Sequence, residues 1–277
     1  RDIGVTGVQT CALPIFYLGG LLNSFLLATA ATTFALLIAL PLAVVSDRYV
    51  FPGKALLGSI VLIPMILPPF VGAIGIKQIF GQYGALNALL HHLGALGPGE
   101  TVDWLARSQF WGIALVEAFS LYPIIYLNAV AALANIDPAL EEAAQNLGCT
   151  GFRRFRRVTL PLIRPGLFAG GTIVFIWTFT ELGTPLVFDY DRVTSVQIYY
   201  GLKDIGANPL PYALVAVLLV CSVALYALSK TLFGRSHHAM MAKATSAGGA
   251  RTLPTGRAWL CTALFAGVTF LAVLPHL

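Results

Sequence analysis

Charge is scarce along these 277 residues: only 10% are Asp, Glu, Lys or Arg, against 57% hydrophobic and a mean hydropathy of +0.80. Soluble domains carry about 25% charged residues, so the shortage excludes an ordinary soluble globule. Cysteine is also sparse. Cys221 and Cys261 lie in apolar runs, Cys149 in a polar segment and Cys11 alone near the start, giving neither a disulfide framework nor a zinc spacing. His91-His92 and His237-His238 are adjacent rather than a helical turn apart, and read as surface-loop histidines. There is no Gly-x-x-x-x-Gly-Lys-Ser/Thr loop and no nucleophile elbow. The chain therefore offers no catalytic centre of its own, and no metal or cofactor is expected.

What is abundant is apolar length. Runs near 17–46, 55–80, 109–134, 163–187, 211–233 and 258–275 approach or exceed the roughly 20 residues that cross a bilayer as helix. They are continuous rather than alternating, which selects helices over barrel strands. The fold class expected is all-α, a polytopic transmembrane helical bundle embedded in lipid. Pro64, Pro68, Pro69, Pro123 and Pro185 should kink their spans.

The basic residues then orient the bundle. Arg48, Lys54, Arg153, Arg154, Arg156, Arg157, Arg164, Lys230, Arg235, Lys243, Arg251 and Arg257 fall in the connections near 47–54, 135–165 and 230–257. The opposite connections, near 81–107 and 188–210, hold few: Arg107, Arg192 and Lys203, with Lys77 close by. The positive-inside rule makes the first set cytoplasmic. A pI near 9.1 thus reflects orientation rather than nucleic-acid binding.

One polar segment stands apart from the spans. Asp137 is suited to cap a helix with Pro138 at its first position, and Glu141 and Glu142 sit near the positive end of its dipole. Gly148 suits a left-handed stop, Thr150 a second cap, and Pro161 should limit the second helix. Leu140, Ala144 and Leu147 share a face of the first helix; Phe152, Phe155 and Val158 share a side of the second. Arg153, Arg154, Arg156 and Arg157 are expected to stay largely wet. A basic helix-turn-helix suggests DNA, but a recognition helix must be free to enter a groove, and this one is tethered to apolar spans on both sides. A loop basic only for topology would leave the Glu-Ala-Ala, Gly and Leu-Pro spacing unexplained.

Glu142-Ala143-Ala144-x-x-x-Gly148, followed by Val158-x-Leu160-Pro161, resembles the EAA loop of the MetI-like permeases of binding-protein-dependent ABC importers, with Val158 where isoleucine is usual. The resemblance extends over roughly residues 20–235. Asn23-Ser24, Arg48 to Lys54, Leu67 to Gly72 and Leu121-Tyr122-Pro123 are similar to that superfamily in order, and Phe179 to Pro185 with Thr194 to Tyr199 are similar to its ferric-iron branch. This implies a multi-pass subunit of the bacterial inner membrane with a cytoplasmic hairpin. Partner ABC ATPase subunits would dock through Glu141, Glu142, Ala143, Ala144, Gly148, Arg153, Leu160 and Pro161. A periplasmic substrate-binding protein would deliver cargo, ferric iron first and phosphonate, polyamine, thiamine or sulfate as alternatives. ATP hydrolysis would belong to the partner.

Glu117, Tyr122, Asn128 and Glu181 are the candidates for the translocation pathway, because polar groups at membrane depth line water-filled cavities or bond neighbouring helices. Both roles stay open at this point. A secondary transporter would need a coupling-ion site, for which the membrane carboxylates are few, and an intramembrane hydrolase would need a nucleophile and base that are not grouped here. Residues 1–15 resemble translated adapter sequence. Residues 16–235 are expected to form one permease unit, 236–257 a linker with a flexible Gly/Ala/Ser/Thr-rich part, and 258–277 the first helix of a second, fused half.

Overall fold

The computed structural model describes residues 6–97, 99–105, 108–202, 210–233 and 251–276. Two two-residue strands apart, the regular structure of these residues is helical. The long helix α1 (Thr6–Arg48) begins inside the stretch expected to be foreign, so the boundary at 15/16 falls within a helix. Its buried face is a stripe of small side chains, Ala28, Ala31, Ala35, Ala39 and Ala43, all fully buried. Spacings of three and four place them on one side, where α6 (Gln109–Ala134) packs closely.

The third core helix, α9 (Leu160–Thr180), meets α6 through glycines one turn apart. A Cβ on Gly166 would lie 2.6 Å from Ala132 Cβ and 2.9 Å from the Asn128 carbonyl oxygen; one on Gly170 would lie 3.0 Å from Ile125 Cα. Lipid tails are as apolar as leucine, so helices in a bilayer associate through this kind of close backbone packing.

Prolines shape the spans unequally. The second run is not one rod: α2 (Lys54–Ile60), α3 (Ile63–Ile66) and α4 (Pro69–Phe80), followed by α5 (Ala85–His92), turn through 88° at Leu67-Pro68. Leu67 is driven extended by the proline after it (ψ 133°), Pro68 is extended too (ψ 140°), and Pro69 starts the next helix. Pro123, by contrast, stays inside α6. The neighbouring Tyr122 hydroxyl donates to the Val61 carbonyl at 3.2 Å and ties the α2–α3 turn to α6.

Two expectations are corrected here. Pro161 does not limit the helix before it: α8 (Gly151–Arg154), a π turn (Phe155–Thr159) and α9 run on as one 30-residue rod to Thr180. In the widened turn the Leu160 N–H reaches back to the Phe155 carbonyl, and Pro161 falls in the first turn of α9, where a missing N–H is tolerated. The connection expected as an outer loop near 188–210 is also partly helical and packed inward. After Glu181 the chain forms α10 (Gly183–Val187), turns at Asp189 (φ 55°) and enters α11 (Thr194–Gly201), whose residues Thr194 to Ile198 are buried. The buried Ser24 hydroxyl accepts the Thr194 N–H at 3.0 Å. The polar sequence hides this element from a search for apolar runs.

Helix α12 (Leu210–Phe233) lies along α9 and α11. Helix α13 (Thr255–Val273), expected to open a second unit, packs in the same core, with Phe265 5.1 Å from Phe51 and 6.4 Å from Tyr126 between ring centroids. Beside it β1 (Tyr49–Val50) pairs in parallel with β2 (Arg251–Thr252). His91 and His92 close α5 rather than lying in a loop. His237, His238 and most of the expected linker lie outside the described residues.

The α6–α9 contact gives a stability test. Gly166→Val should lower stability by about 1–3 kcal/mol through overpacking, read as a lower Tm of the purified chain in detergent. Gly58→Ala, with nothing within 4 Å of the added carbon, should stay near the parent.

Candidate functional site

Two polar constructions stand out, one at each end of the bundle. The first is the segment after α6. Helix α7 (Pro138–Asn146) begins where the Asp137 carboxylate accepts the Ala139 N–H at 2.9 Å, as the cap expectation required. It ends in a Schellman turn: the Cys149 N–H bonds to the Ala144 carbonyl at 2.8 Å and the Gly148 N–H to that of Gln145 at 2.9 Å, with Gly148 at φ 77°. A Cβ there would meet nothing within 4 Å, so Gly148 is needed for its backbone conformation rather than for space. Thr150 takes the cap position of α8 without a side-chain bond.

The hairpin is fastened to the bundle by one carboxylate. Glu141 Oε1 accepts from Arg48 at the end of α1 and from the Thr159 hydroxyl in the π turn, both at 2.8 Å. Arg48 also donates to the Thr159 oxygen at 2.8 Å, closing a triangle. Arg154 lies 3.7 Å from the other carboxylate oxygen. Arg154 therefore does not stay wet with its neighbours; it is 9% exposed because Glu141 supplies a counter-charge where water is excluded. Glu141 thus faces the bundle, away from the hairpin's outer surface. Arg48 and Thr159 are functional candidates that sequence reasoning missed, Arg48 having been read only as an orientation signal. Thr159 stands two residues after Arg157 and 18 from Glu141, so no local pattern marked it.

The outer face of the same hairpin has no partner from the bundle among the described residues. Leu140, Leu147 and Phe152 are 50%, 87% and 76% exposed, and Glu142, Ala143, Gly148, Arg153 and Pro161 are exposed too. Ala144 and Leu160 are half-buried. Phe152, Arg153, Arg156 and Arg157 surround an open recess of ≈ 470 Å³. An amphipathic helix with a basic, aromatic edge is what such a surface offers.

The second construction lies where α9 ends. Glu117, in α6, is fully buried, and among the described residues only the Thr184 hydroxyl comes near enough to hydrogen-bond its carboxyl. Glu181 is half-buried; its Oε1 accepts the Gly183 N–H at 3.1 Å, and its backbone carbonyl accepts the Ser195 hydroxyl at 2.6 Å. The structure brings these two glutamates into electrostatic reach of each other. Tyr122 is buried and bonded to Val61, and Asn128 donates to the Ile124 carbonyl of its own helix at 2.8 Å. Neither joins the glutamates in a hydrogen bond. At the rim, Lys77 meets Asp189 at 2.5 Å and the Val187 carbonyl at 2.8 Å.

A bundle of long apolar helices, broken at a double proline and carrying a wet hairpin between spans, defines the membrane-embedded part of a transporter. The chain belongs to the family of binding-protein-dependent transport system inner membrane components, whose profile matches residues 31–238, and is thus a multi-pass permease subunit of an ABC importer. It is 33% identical over 197 residues to a probable molybdenum ABC transporter permease protein of Haloferax volcanii, covering 70% of this chain and 68% of that one. It is 28% identical over 232 residues to a putative ferric transport system permease protein of Haemophilus influenzae, covering 82% of this chain but only 35% of the relative. Sulfate and 2-aminoethylphosphonate permease proteins of Salmonella are also similar. In fold, the chain is similar to a bacterial alginate ABC transporter solved with its periplasmic protein, at TM-score 0.63 and 20% identity over 84% of this chain and 83% of that one.

Burial sets the expected strength of the latch. A double-mutant cycle on Arg48→Ala and Glu141→Ala, read by unfolding in detergent, should give a coupling of about 1.5–3 kcal/mol, as for hydrogen bonds to charged groups. The exposed pair Lys77 and Asp189 should couple within about 0–1 kcal/mol.

Proposed function

We propose that this chain conducts ferric iron, and that its hairpin receives the stroke of a separate ATPase subunit on the cytoplasmic side. One observation carries the coupling role: among the described residues the hairpin has an unpartnered outer face and an inner face fastened to the bundle. Leu140, Leu147 and Phe152 on the outside suit a helix-in-groove interface, and Glu142, Arg153 and the neighbouring arginines suit its charged rim. On the inside, Glu141 joins α7 to α1 through Arg48 and to the α8–α9 rod through Thr159. A displacement of the hairpin is then passed to two core helices as rigid-body motion. ATP hydrolysis belongs to the partner; this chain conducts and does not react.

The basic residues support the orientation, with Arg48, the hairpin and Arg251 at the cytoplasmic end. Cargo then arrives from a periplasmic binding protein at the end where Lys77 meets Asp189, and a second permease half completes the path. The ferric relative is long enough to hold such a half, since this chain matches 35% of it. Iron as cargo is supported by the Phe179–Pro185 and Thr194–Tyr199 tracts and by that similarity. An oxyanion cargo is the second reading, favoured by the higher identity to the molybdenum permease protein.

Orientation is tested by single-cysteine labelling in a cysteine-free background. A membrane-impermeant maleimide applied to intact cells should modify a cysteine at position 100 and spare one at 153; the reverse pattern would invert the topology.

Coupling is tested at the outer face. Gly148→Val forces a β-branched residue into a left-handed turn, at a cost of about 1–2 kcal/mol. It should abolish co-purification of the ATPase or cargo-stimulated hydrolysis while membrane insertion persists. Glu142→Lys should weaken the same contact to a smaller degree. Wild-type uptake and hydrolysis in both variants would remove the hairpin from the coupling path.

A further inference from the structure

The proposed cargo has a chemical counterpart in the buried carboxyl pair. Glu117 is the one charged residue of α6 and is wholly enclosed, yet among the described residues only the Thr184 hydroxyl comes near enough to hydrogen-bond its carboxyl. An ionised carboxylate at such depth needs a counter-charge. The charged group acting on it is Glu181, which has the same sign. Lys77 of the nearby α4 is engaged elsewhere, by Asp189 and the Val187 carbonyl.

Thr184, on α10, supplies an independent observation. Its hydroxyl is fully buried and lies beside the Glu117 carboxyl, with no other polar partner among the described residues. The elements around it are held firmly: Gly183 packs against Phe70 of α4, a Cβ there falling 2.9 Å from Phe70 Cβ, and Ser195 of α11 binds the Glu181 carbonyl. Three oxygen-bearing side chains thus converge from α6, the end of α9 and α10, and a single contact with Thr184 leaves most of the acceptor capacity of Glu117 unspent.

Resting on the ferric reading of the cargo, we propose that Glu117, Glu181 and the Thr184 hydroxyl form a transit station for a hard cation. The donors are carboxylate and hydroxyl oxygens, which suit hard ions, and contain no sulfur or imidazole for soft ones. Two like-signed carboxylates repel an oxyanion and are drawn together by a cation between them. Among the described residues, no three His, Cys, Asp or Glu side chains group to hold a metal. The station is accordingly weak, as conduction requires: an ion must be held well enough to enter and loosely enough to leave.

The test uses the full chain in nanodiscs and Tb³⁺, a hard trivalent probe, followed by sensitised luminescence and by the shift in Tm. Glu117→Gln and Glu181→Gln should each weaken Tb³⁺ binding about tenfold or more, a change equivalent to at least about 1.4 kcal/mol, and Thr184→Val should weaken it less. Glu117→Gln should leave the metal-free Tm near the parent, because it is close in shape and keeps a polar group in place, and Glu100→Gln in the exposed outer loop should change neither readout. Tb³⁺ binding that is unaltered in Glu117→Gln and Glu181→Gln overturns the station, even if the assembled transporter takes up ferric iron. Glu117-dependent Tb³⁺ binding in a transporter that takes up molybdate and not iron keeps the cation site and overturns the cargo reading.

Discussion

One carboxylate, that of Glu141, holds the hairpin in register with the membrane helices. It reaches α1 through Arg48 and the long rod through Thr159, both at 2.8 Å. Without it, α7 would hang from α6 by the short Asn135–Asp137 turn, and the charges of Arg48 and Arg154 would lack a partner where water is largely excluded. The small-residue contacts among α1, α6 and α9 do the complementary work inside the membrane, where burial of apolar surface distinguishes poorly between helix and lipid. Packing fixes the bundle; the carboxylate fixes the hairpin to it.

The π turn matters for the same reason. It carries α8 into α9 past Pro161, so hairpin and span are one continuous helix. Motion applied at Phe152 has no loop in which to dissipate before Thr180. There the helix gives way to Glu181 and the short α10, next to the enclosed Glu117. The proposed drive point and the proposed cation station thus sit at opposite ends of one rod.

Much of this was legible in the sequence, for identifiable reasons. Apolar length located the spans, since lipid imposes helix on any backbone that crosses it. The Asp137-Pro138 start and the Gly148 stop were legible because caps are local chemistry. The Glu141–Arg48 contact was not, because it joins residues 93 apart and no periodicity encodes such a pairing. Pro161 was misread because the π turn that accommodates it leaves no local signature, and α11 was missed because Thr194, Ser195 and Gln197 interrupt its buried Val196 and Ile198, leaving no apolar run. The alanine stripe of α1 was available at spacings of three and four, but a uniformly apolar helix hides which face turns inward. Glu117 and Glu181 were found by their rarity in apolar runs; their convergence with Thr184 depends on the break after Thr180.

The central claim is that hairpin, α1 and the rod move as one body. It is tested most directly by electron–electron double resonance in the assembled transporter, with spin labels paired at exposed positions 146 and 50 and, separately, at 146 and 177, with and without ATP. The account predicts that both distances hold constant while the distance from 146 to the matching site on the second permease half changes. A nucleotide-dependent change between 146 and 50 would mean that the latch opens during the cycle, and would contradict it.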